Sequence, residues 1–270
     1  MRIVIPMAGA GSRFTQKGYK VHKPAILTYD RHTGQLLPMV VCAVRDLPGV
    51  EHGGENVIFI DREFHKASGV EEEIRSYFPR AQFITVKELT QGQACTCLLA
   101  QKLWDPAESL LIAACDNGMD LDREKFAHMT SAGDADELVF TYRHNDAVLR
   151  NPAAYGWMQV NGNHVITGVS VKKAISDTPC EDHAVAATFW FRKAEVFCRA
   201  AEKMIAENDR INDEFYVDEI AKHVMELGGC AKVFELERYI GWGTPEDYEN
   251  YQNTYQYWTE FLNNEGMIAT

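Results

Sequence analysis

The stretch MAGAGSRFTQKGYKVHKP, residues 7–24, contains no aspartate or glutamate, and the first acid of the chain is Asp30. That gap stands out because the 270 residues carry 39 Asp and Glu against 27 Lys and Arg, a formal charge of -12. An acidic balance of this size argues against general affinity for nucleic acid or anionic membranes, since both are polyanions. Long apolar runs are also missing, so no membrane span is expected. The first apolar run, "IVI", stops at Pro6 and is too short for a secretory leader. The seven cysteines (42, 95, 97, 115, 180, 198 and 230) are odd in number and mostly sit among apolar neighbours. Cys95 and Cys97 have no second Cys or His pair at metal-finger spacing, so no zinc site is expected. Buried thiols in a reducing cytoplasm are the expectation.

What is present reads as a soluble α/β chain long enough to bury a core without staples. Short β-rich runs alternate with helical patterns through the first half. "RIVI", "NVIFI" (56–60), "QFITV" (82–86) and "SLLIAAC" (109–115) read as strands. Helices are expected at 38–47, 62–78 and 93–104. Such alternation implies right-handed crossovers and a mostly parallel sheet. The second half packs "ELVFTY", "YGWMQV", "HVITGVSV" and "ATFWF" close together, with "NGN" (161–163) as a hairpin turn, so some antiparallel pairing is expected. Helices follow at about 193–207 and 215–227. Asp122 reads as the cap of the helix opening "DREKF", and Thr244-Pro245 opens a final helix with Glu246 and Asp247 in its first turn. No repeat or linker divides the chain, which reads as one domain.

Inside the acid-free stretch lie Gly9, Gly11 and Gly18 with Arg13, Lys17, Lys20, His22 and Lys23. A basic glycine-rich turn in an acidic protein points to a discrete anionic ligand. A dinucleotide fingerprint would need a glycine where Phe14 stands, and a P-loop would need Gly-Lys-Ser/Thr. The remaining pattern is G-x-G-[ST]-R-[FLM] followed by Lys-Pro, here Gly9, Gly11, Ser12, Arg13, Phe14, Lys23 and Pro24. Glycine turns let backbone N–H groups approach phosphates, because no Cβ intervenes. Arginine offers a planar fork to phosphate oxygens, and lysine a point charge.

"PMAGAGSRF…HKPAI" resembles the signature of the sugar-phosphate nucleotidyltransferases, or nucleotide-sugar pyrophosphorylases. Further segments resemble that family in order along nearly the whole chain: "ACDN" (114–117), "NPAAYGWMQV" (151–160), "VKK" (171–173), "ATFWF", "NDEFYVDEI" and "YIGWGTPEDY". The resemblance implies a three-layer α/β/α sandwich with a mixed, mostly parallel central sheet, the Rossmann-like nucleotide-diphospho-sugar transferase fold. It divides the single domain 1–270 into a nucleotide-binding half, 1–130, and an acceptor-binding half, 131–270. The implied reaction is in-line attack of an acceptor phosphate on the α-phosphorus of a nucleoside triphosphate, releasing pyrophosphate. Such chemistry needs positioning and charge neutralisation more than covalent help. A triphosphate and a sugar phosphate bring about five or six negative charges together, which would account for the basic turn.

The resemblance assigns Arg13 and Lys23 as catalytic cations, and the loop Ala8, Gly9, Ala10, Gly11 and Ser12, with Gly92 and Gln93, to the nucleotide. Either Gln91 or Gln93 is a candidate reader of the base. Asp116, at a strand end, would hold Mg²⁺. The family's second metal aspartate falls at Gly241, so a carboxylate from elsewhere is needed. Glu214 and Asp218, four apart and expected on one helix face, are candidates, Asp218 for the metal and Glu214 for the acceptor. Tyr155 and Gly156 would form a pocket wall. Lys173 would hold the acceptor phosphate, while Lys172 replaces a sugar-binding glutamate. Trp157, Trp190 and Trp242 are expected in the core or lining a pocket.

The leading expectation is a nucleotidyltransferase using a nucleoside triphosphate and a sugar 1-phosphate for nucleotide-sugar and polysaccharide biosynthesis. A cytidylyltransferase acting on a non-sugar phosphate or phosphonate is the alternative that Lys172 and Gly241 keep open. A non-catalytic nucleotide-binding homologue would be expected to lose Arg13, Lys23 or Asp116, and all three stand. A glycosyltransferase of the same architecture should lack the glycine loop and Lys-Pro. The aromatic helix around 248–258 would pack on its own core or on a second copy, leaving a homo-oligomer open.

Overall fold

In strand after strand, neighbouring apolar residues point to opposite faces, and the folded chain turns that alternation into two separate cores. The computed structural model describes residues 1–265. The chain runs β1 (Arg2–Pro6), α1 (Ser12–Gln16), β2 (Leu27–Tyr29), β3 (Leu36–Pro38), α2 (Met39–Asp46), β4 (Val57–Arg62), α3 (Glu63–Ala67) and α4 (Val70–Tyr77). Next come β5 (Gln82–Val86), α5 (Gln93–Leu98), β6 (Leu110–Ala113), β7 (Asn117–Asp120), α6 (Arg123–Ala132), β8 (Glu137–Tyr142), α7 (Ala147–Arg150), β9 (Gly156–Val160) and β10 (Ile166–Val171). It continues through β11 (His183–Phe191), α8 (Ala194–Ala206), α9 (Ile220–Glu226), β12 (Ala231–Glu235), β13 (Arg238–Gly241) and α10 (Pro245–Asn264).

Nine strands drawn from both halves of the chain form one sheet. Its order is β10-β9-β11-β6-β1-β4-β5, with β8 paired to β11 and β12 to β8. Parallel ladders join β1 to β4 and β6, β4 to β5, and β8 to β12. Only β10 and β11 run against the others, so the sheet is mixed and mostly parallel. Ile3, Ile5, Phe59 and Leu111 face a core shared with α2, α4 and α6. Val4, Ile58, Ile60 and Ile112 face a second core under α5, α8 and α9. This makes the three-layer sandwich. Burying one such side chain contributes roughly 1.5–3 kcal/mol, so packing, rather than propensity, holds helices as short as α5.

Three expected helices are shorter than their apolar periodicity implies. The 62–78 pattern breaks into α3 and α4 at Gly69, whose φ of +81° suits glycine and leaves the helical region. The 93–104 pattern ends as α5, followed by a 3₁₀ turn at Gln101–Leu103. The 215–227 pattern becomes a 3₁₀ turn at Val217–Glu219 leading into α9.

Chain order places the site. From β1 the chain steps outward to β4 and β5, then crosses back to β6 on the other side of β1. The order therefore reverses between β1 and β6, and ligands of open α/β sheets bind outside the carboxyl ends of strands at such a point. A second opening lies beside it. β11 carries Ala187 at φ +48° and shifts register between Val185 and Phe189. Its first residues pair with β9 and its last with β6, so the sheet forks there.

Candidate active site

At the carboxyl end of β1 the chain turns through Gly9-Ala10-Gly11, with Gly11 at φ +59° capping α1. Phe14, on α1, is buried against Tyr19 and Tyr248, which anchors the loop to α10. The chain then reaches Lys23, at the start of a 3₁₀ turn whose second residue is Pro24. Lys23 Nζ donates a hydrogen bond to Asp116 Oδ2, just past β6. Burial pushes the lysine toward its neutral form, but the Asp116 carboxylate outweighs it and holds the pKa above its ordinary value. The motif lysine and the motif aspartate thus meet at the switch point.

Two cavities adjoin this pair and share Lys23, Gln93 and Asp116. One, of about 200 Å³, is lined by Gly9, Ala10, Gly11, Phe14, His22, Phe64 and His65. Its exposed backbone and flat rings suit a nucleotide. Burial, with His22 and Arg62 nearby, pushes the His65 imidazole down to about 4. The Arg62 N–H donates to His65 Nδ1 at 3.3 Å, so the neutral ring carries its proton on Nε2 and can donate from there.

The other cavity, of about 310 Å³, lies at the fork in the sheet and is lined by Arg13, Asn117, Asn145, Tyr155, Gly156, Lys172, Tyr216, Asp218, Tyr239, Gly241 and Asp247, among others. Lys23, Asp116 and Asp247 are held in ion pairs. Lys23 bonds Asp116, and Asp247 is held by Arg150 and by Thr244 Oγ1 at 2.7 Å. Burial lowers the Lys172 pKa and raises that of Asp218, and each opposes the other's shift. Arg13 is exposed and, among the described residues, makes no ion pair.

Most motif residues converge here, but several sit differently from their expectation. Ala8 is buried in the core under α5, α8 and α9 and Ser12 is exposed on α1, and neither lines a cavity. Gly92 lines neither cavity; its φ of +131° brings it against the backbone of Phe215, where any Cβ would overlap the Phe215 nitrogen and oxygen. Gln93 does face both cavities, whereas Gln91 accepts a bond from Arg210 at 3.0 Å. Lys172, not Lys173, enters the cleft. At φ +60° it sends Nζ to the Ala154 carbonyl and over the Tyr216 ring, 5.4 Å from its centroid, while Lys173 is exposed. Glu214 and Asp218 do not share a helix. Asn212 and Asp213, both at positive φ, form a turn closed by Ile211 and Glu214, and Asp218 follows in the 3₁₀ turn. Glu214 is exposed and lines neither cavity, though it helps push the Tyr216 hydroxyl up to about 12, after burial. Gly156 packs on Asp218, so a side chain there would strike the carboxylate. Trp157 and Trp242 are core residues, and Trp190 is buried as well.

Sequence reading missed His22, Phe64, His65, Asn145, Tyr216 and Asp247. For Asp247 a signal existed. It stands third in α10, in the first turn after the Thr244 cap, and the start of that helix lines the cleft.

Comparison with solved structures places the fold. A nucleoside-diphosphate-sugar pyrophosphorylase from Vibrio cholerae RC9 superposes with a TM-score of 0.72 at 18% identity, covering 93% of this chain and 99% of that one. The inositol-1-phosphate CTP transferase from T. maritima gives 0.67 at 14%, covering 94% and 93%. HddC from Yersinia pseudotuberculosis, complexed with GMP-PN, gives 0.62 at 18%, covering 94% and 99%. No family model matches the chain, and no curated protein matches its sequence. The chain has the nucleotide-diphospho-sugar transferase fold, in agreement with the motif resemblance.

Proposed function

We propose that the protein transfers a nucleotidyl group from a nucleoside triphosphate to a sugar 1-phosphate, releasing pyrophosphate, in nucleotide-sugar and polysaccharide biosynthesis. The observation that carries the reading is the meeting of the glycine loop, Lys23 and Asp116 where β1 and β6 end, with two adjoining cavities that share Lys23 and Asp116. The acceptor phosphate oxygen forms a bond to the α-phosphorus as the bond to the β-phosphate oxygen breaks, and pyrophosphate leaves. The loop's backbone N–H groups and the cations Arg13 and Lys23 stabilise the charge that builds up in that step. The larger cavity takes the acceptor, with Lys172 as its cation.

A hard divalent ion such as Mg²⁺ fits the cleft through Asp116: Lys23 occupies Oδ2, and Oδ1 has no hydrogen bond among the described residues. Asp218, lining the same cavity, is the second carboxylate, since Gly241 has none to offer. Such an ion, when bound, neutralises phosphate charge. We place the reaction in the cytoplasm, in keeping with seven unpaired cysteines; among the described residues, no helix is long and apolar enough to cross a membrane.

Lys172 in the acceptor cavity, where a sugar hydroxyl would favour a carboxylate, supports a second reading: a cytidylyltransferase with a non-sugar phosphate or phosphonate acceptor. One assay addresses both readings. The purified protein, with Mg²⁺, each of the five common nucleoside triphosphates and a panel of phosphorylated acceptors, is followed by pyrophosphate release. Turnover with one nucleotide and one sugar 1-phosphate, abolished in Lys23→Ala and Asp116→Ala, is the expected result. Turnover with a non-sugar acceptor alone selects the second reading, and failure to bind any triphosphate by calorimetry rejects both.

A further inference from the structure

Away from the cleft, α8 and α9 pack side by side and bring together Glu207, at the carboxyl end of α8, with His223 and Glu226 on α9. The His223 side chain is fully buried. Its Nε2 lies 3.1 Å from Asp209 Oδ2. A carboxylate only accepts, so Nε2 is a donor, and Nδ1 is the ring nitrogen left to a ligand. Among the described residues that nitrogen makes no hydrogen bond. It faces two further acceptors, Glu226 Oε2 at 3.3 Å and Glu207 Oε2 at 3.6 Å. The three ligand atoms lie within 4.8 Å of one another. Two carboxylate oxygens converging on one ring nitrogen favour a cation among them. Lys203 Nζ, bonded to both glutamates, neutralises them but leaves the imidazole nitrogen unpaired.

We infer that Glu207, His223 and Glu226 form a binding site for a divalent first-row transition ion of the Zn²⁺ or Co²⁺ kind, which displaces Lys203. An imidazole nitrogen with two carboxylates is a borderline donor set that suits Zn²⁺ and Co²⁺, whereas Mg²⁺ prefers oxygen alone. His223 and Glu226, three apart on one helix, share a face. Asp209 supplies the carboxylate behind the imidazole that fixes the tautomer and orients the ring. The charges also favour it: three carboxylates (Glu207, Asp209 and Glu226) face two ammonium groups, Lys203 and Lys222. The cysteine spacing excludes a finger-type zinc site, and this donor set uses no cysteine. Bound metal would tie the end of α8 to α9, closing the base of the loop that carries Arg210, Tyr216 and Asp218.

The test uses the full chain stripped of metal with a chelator. Calorimetry with ZnCl₂ and absorption spectroscopy with CoCl₂ are run on wild type, Glu207→Gln, Glu226→Gln and Lys203→Met, with circular dichroism confirming that each folds. The expected result is one ion per chain, bound roughly tenfold or more weakly by each glutamine variant, more tightly by Lys203→Met, and not displaced by equimolar Mg²⁺. The bound cobalt should lack a thiolate charge-transfer band. Equal affinity in wild type and both glutamine variants, a thiolate band, or no ion bound by wild type would each overturn the site.

Discussion

Lys23 donates a hydrogen bond to Asp116, joining the Lys-Pro turn of the N-terminal loop to the carboxyl end of β6. Both groups line both cavities, so a triphosphate in one and an acceptor in the other would meet over this pair. The carboxylate keeps the lysine protonated against burial, as a group that neutralises developing phosphate charge must be.

Replacing either member of the pair should remove stabilisation made in the transition state. Lys23→Ala and Asp116→Ala should each lower kcat by about 10²–10³. Because the two act on one developing charge, the double variant should lose little more than the worse single one. Steady-state pyrophosphate release measures all three, and losses that multiply would show the residues acting independently.

The two lysines at 172 and 173 should separate cleanly. Lys172 enters the acceptor cavity with its ammonium over Tyr216, and Lys173 is exposed. Lys172→Ala should raise the acceptor KM by roughly tenfold or more, the loss of one charge-assisted contact, while the nucleotide KM holds. Lys173→Ala should leave both constants near wild type. The opposite pattern would return the acceptor phosphate to Lys173.

Gly92→Ala should act on the acceptor side although Gly92 lines no cavity. Its φ of +131° belongs to glycine, and a Cβ would strike the Phe215 backbone, whose N–H donates to the Gln91 carbonyl at 2.9 Å. Strain of this kind costs about 1–3 kcal/mol, and relief requires moving the segment that carries Tyr216 and Asp218. Thermal unfolding should shift down, with a rise in acceptor KM exceeding any change in kcat. An unchanged melting temperature would mean that the loop absorbs the side chain freely.

How much of this was readable beforehand differs from residue to residue, and for physical reasons. The short continuous apolar runs of "RIVI" and "SLLIAAC" are a local property, and they marked strands whose alternate faces became the two cores. Gly11, Lys23 and Asp116 were legible because a turn's backbone demands and a strand's end leave traces in residue type. The choice between Lys172 and Lys173 turns on a left-handed backbone at Lys172, which rotates one side chain inward and leaves no trace in the sequence. Glu214 was misplaced because helical spacing was read from Glu214 to Asp218, whereas Glu214 closes the turn at Asn212 and Asp213, both at positive φ, and only a 3₁₀ turn follows at Val217–Glu219. The fork at Ala187 and the His22, Phe64 and His65 lining arise from segments far apart in the chain, so no local signal marks them.

His65 ties the nucleotide-side cavity to acid stability, and the sign can be worked out. Burial lowers its pKa from 6.5 to about 4, so the folded protein holds the ring neutral where the unfolded chain would protonate it. Above pH 6.5 neither state binds the proton and the residue's contribution is intact. As pH falls from 6.5 toward 4 the unfolded state gains the proton first, and the folded state should lose up to about 3 kcal/mol, with no further loss below about 4. His65→Gln keeps an acceptor for the Arg62 N–H but cannot be protonated. Urea unfolding of both proteins between pH 7 and 4 isolates the contribution as a difference of curves. Wild type should weaken more steeply than His65→Gln through that window. Parallel curves would mean that the imidazole accepts a proton in place, and His65 could then meet a nucleotide as a cation rather than as a neutral donor.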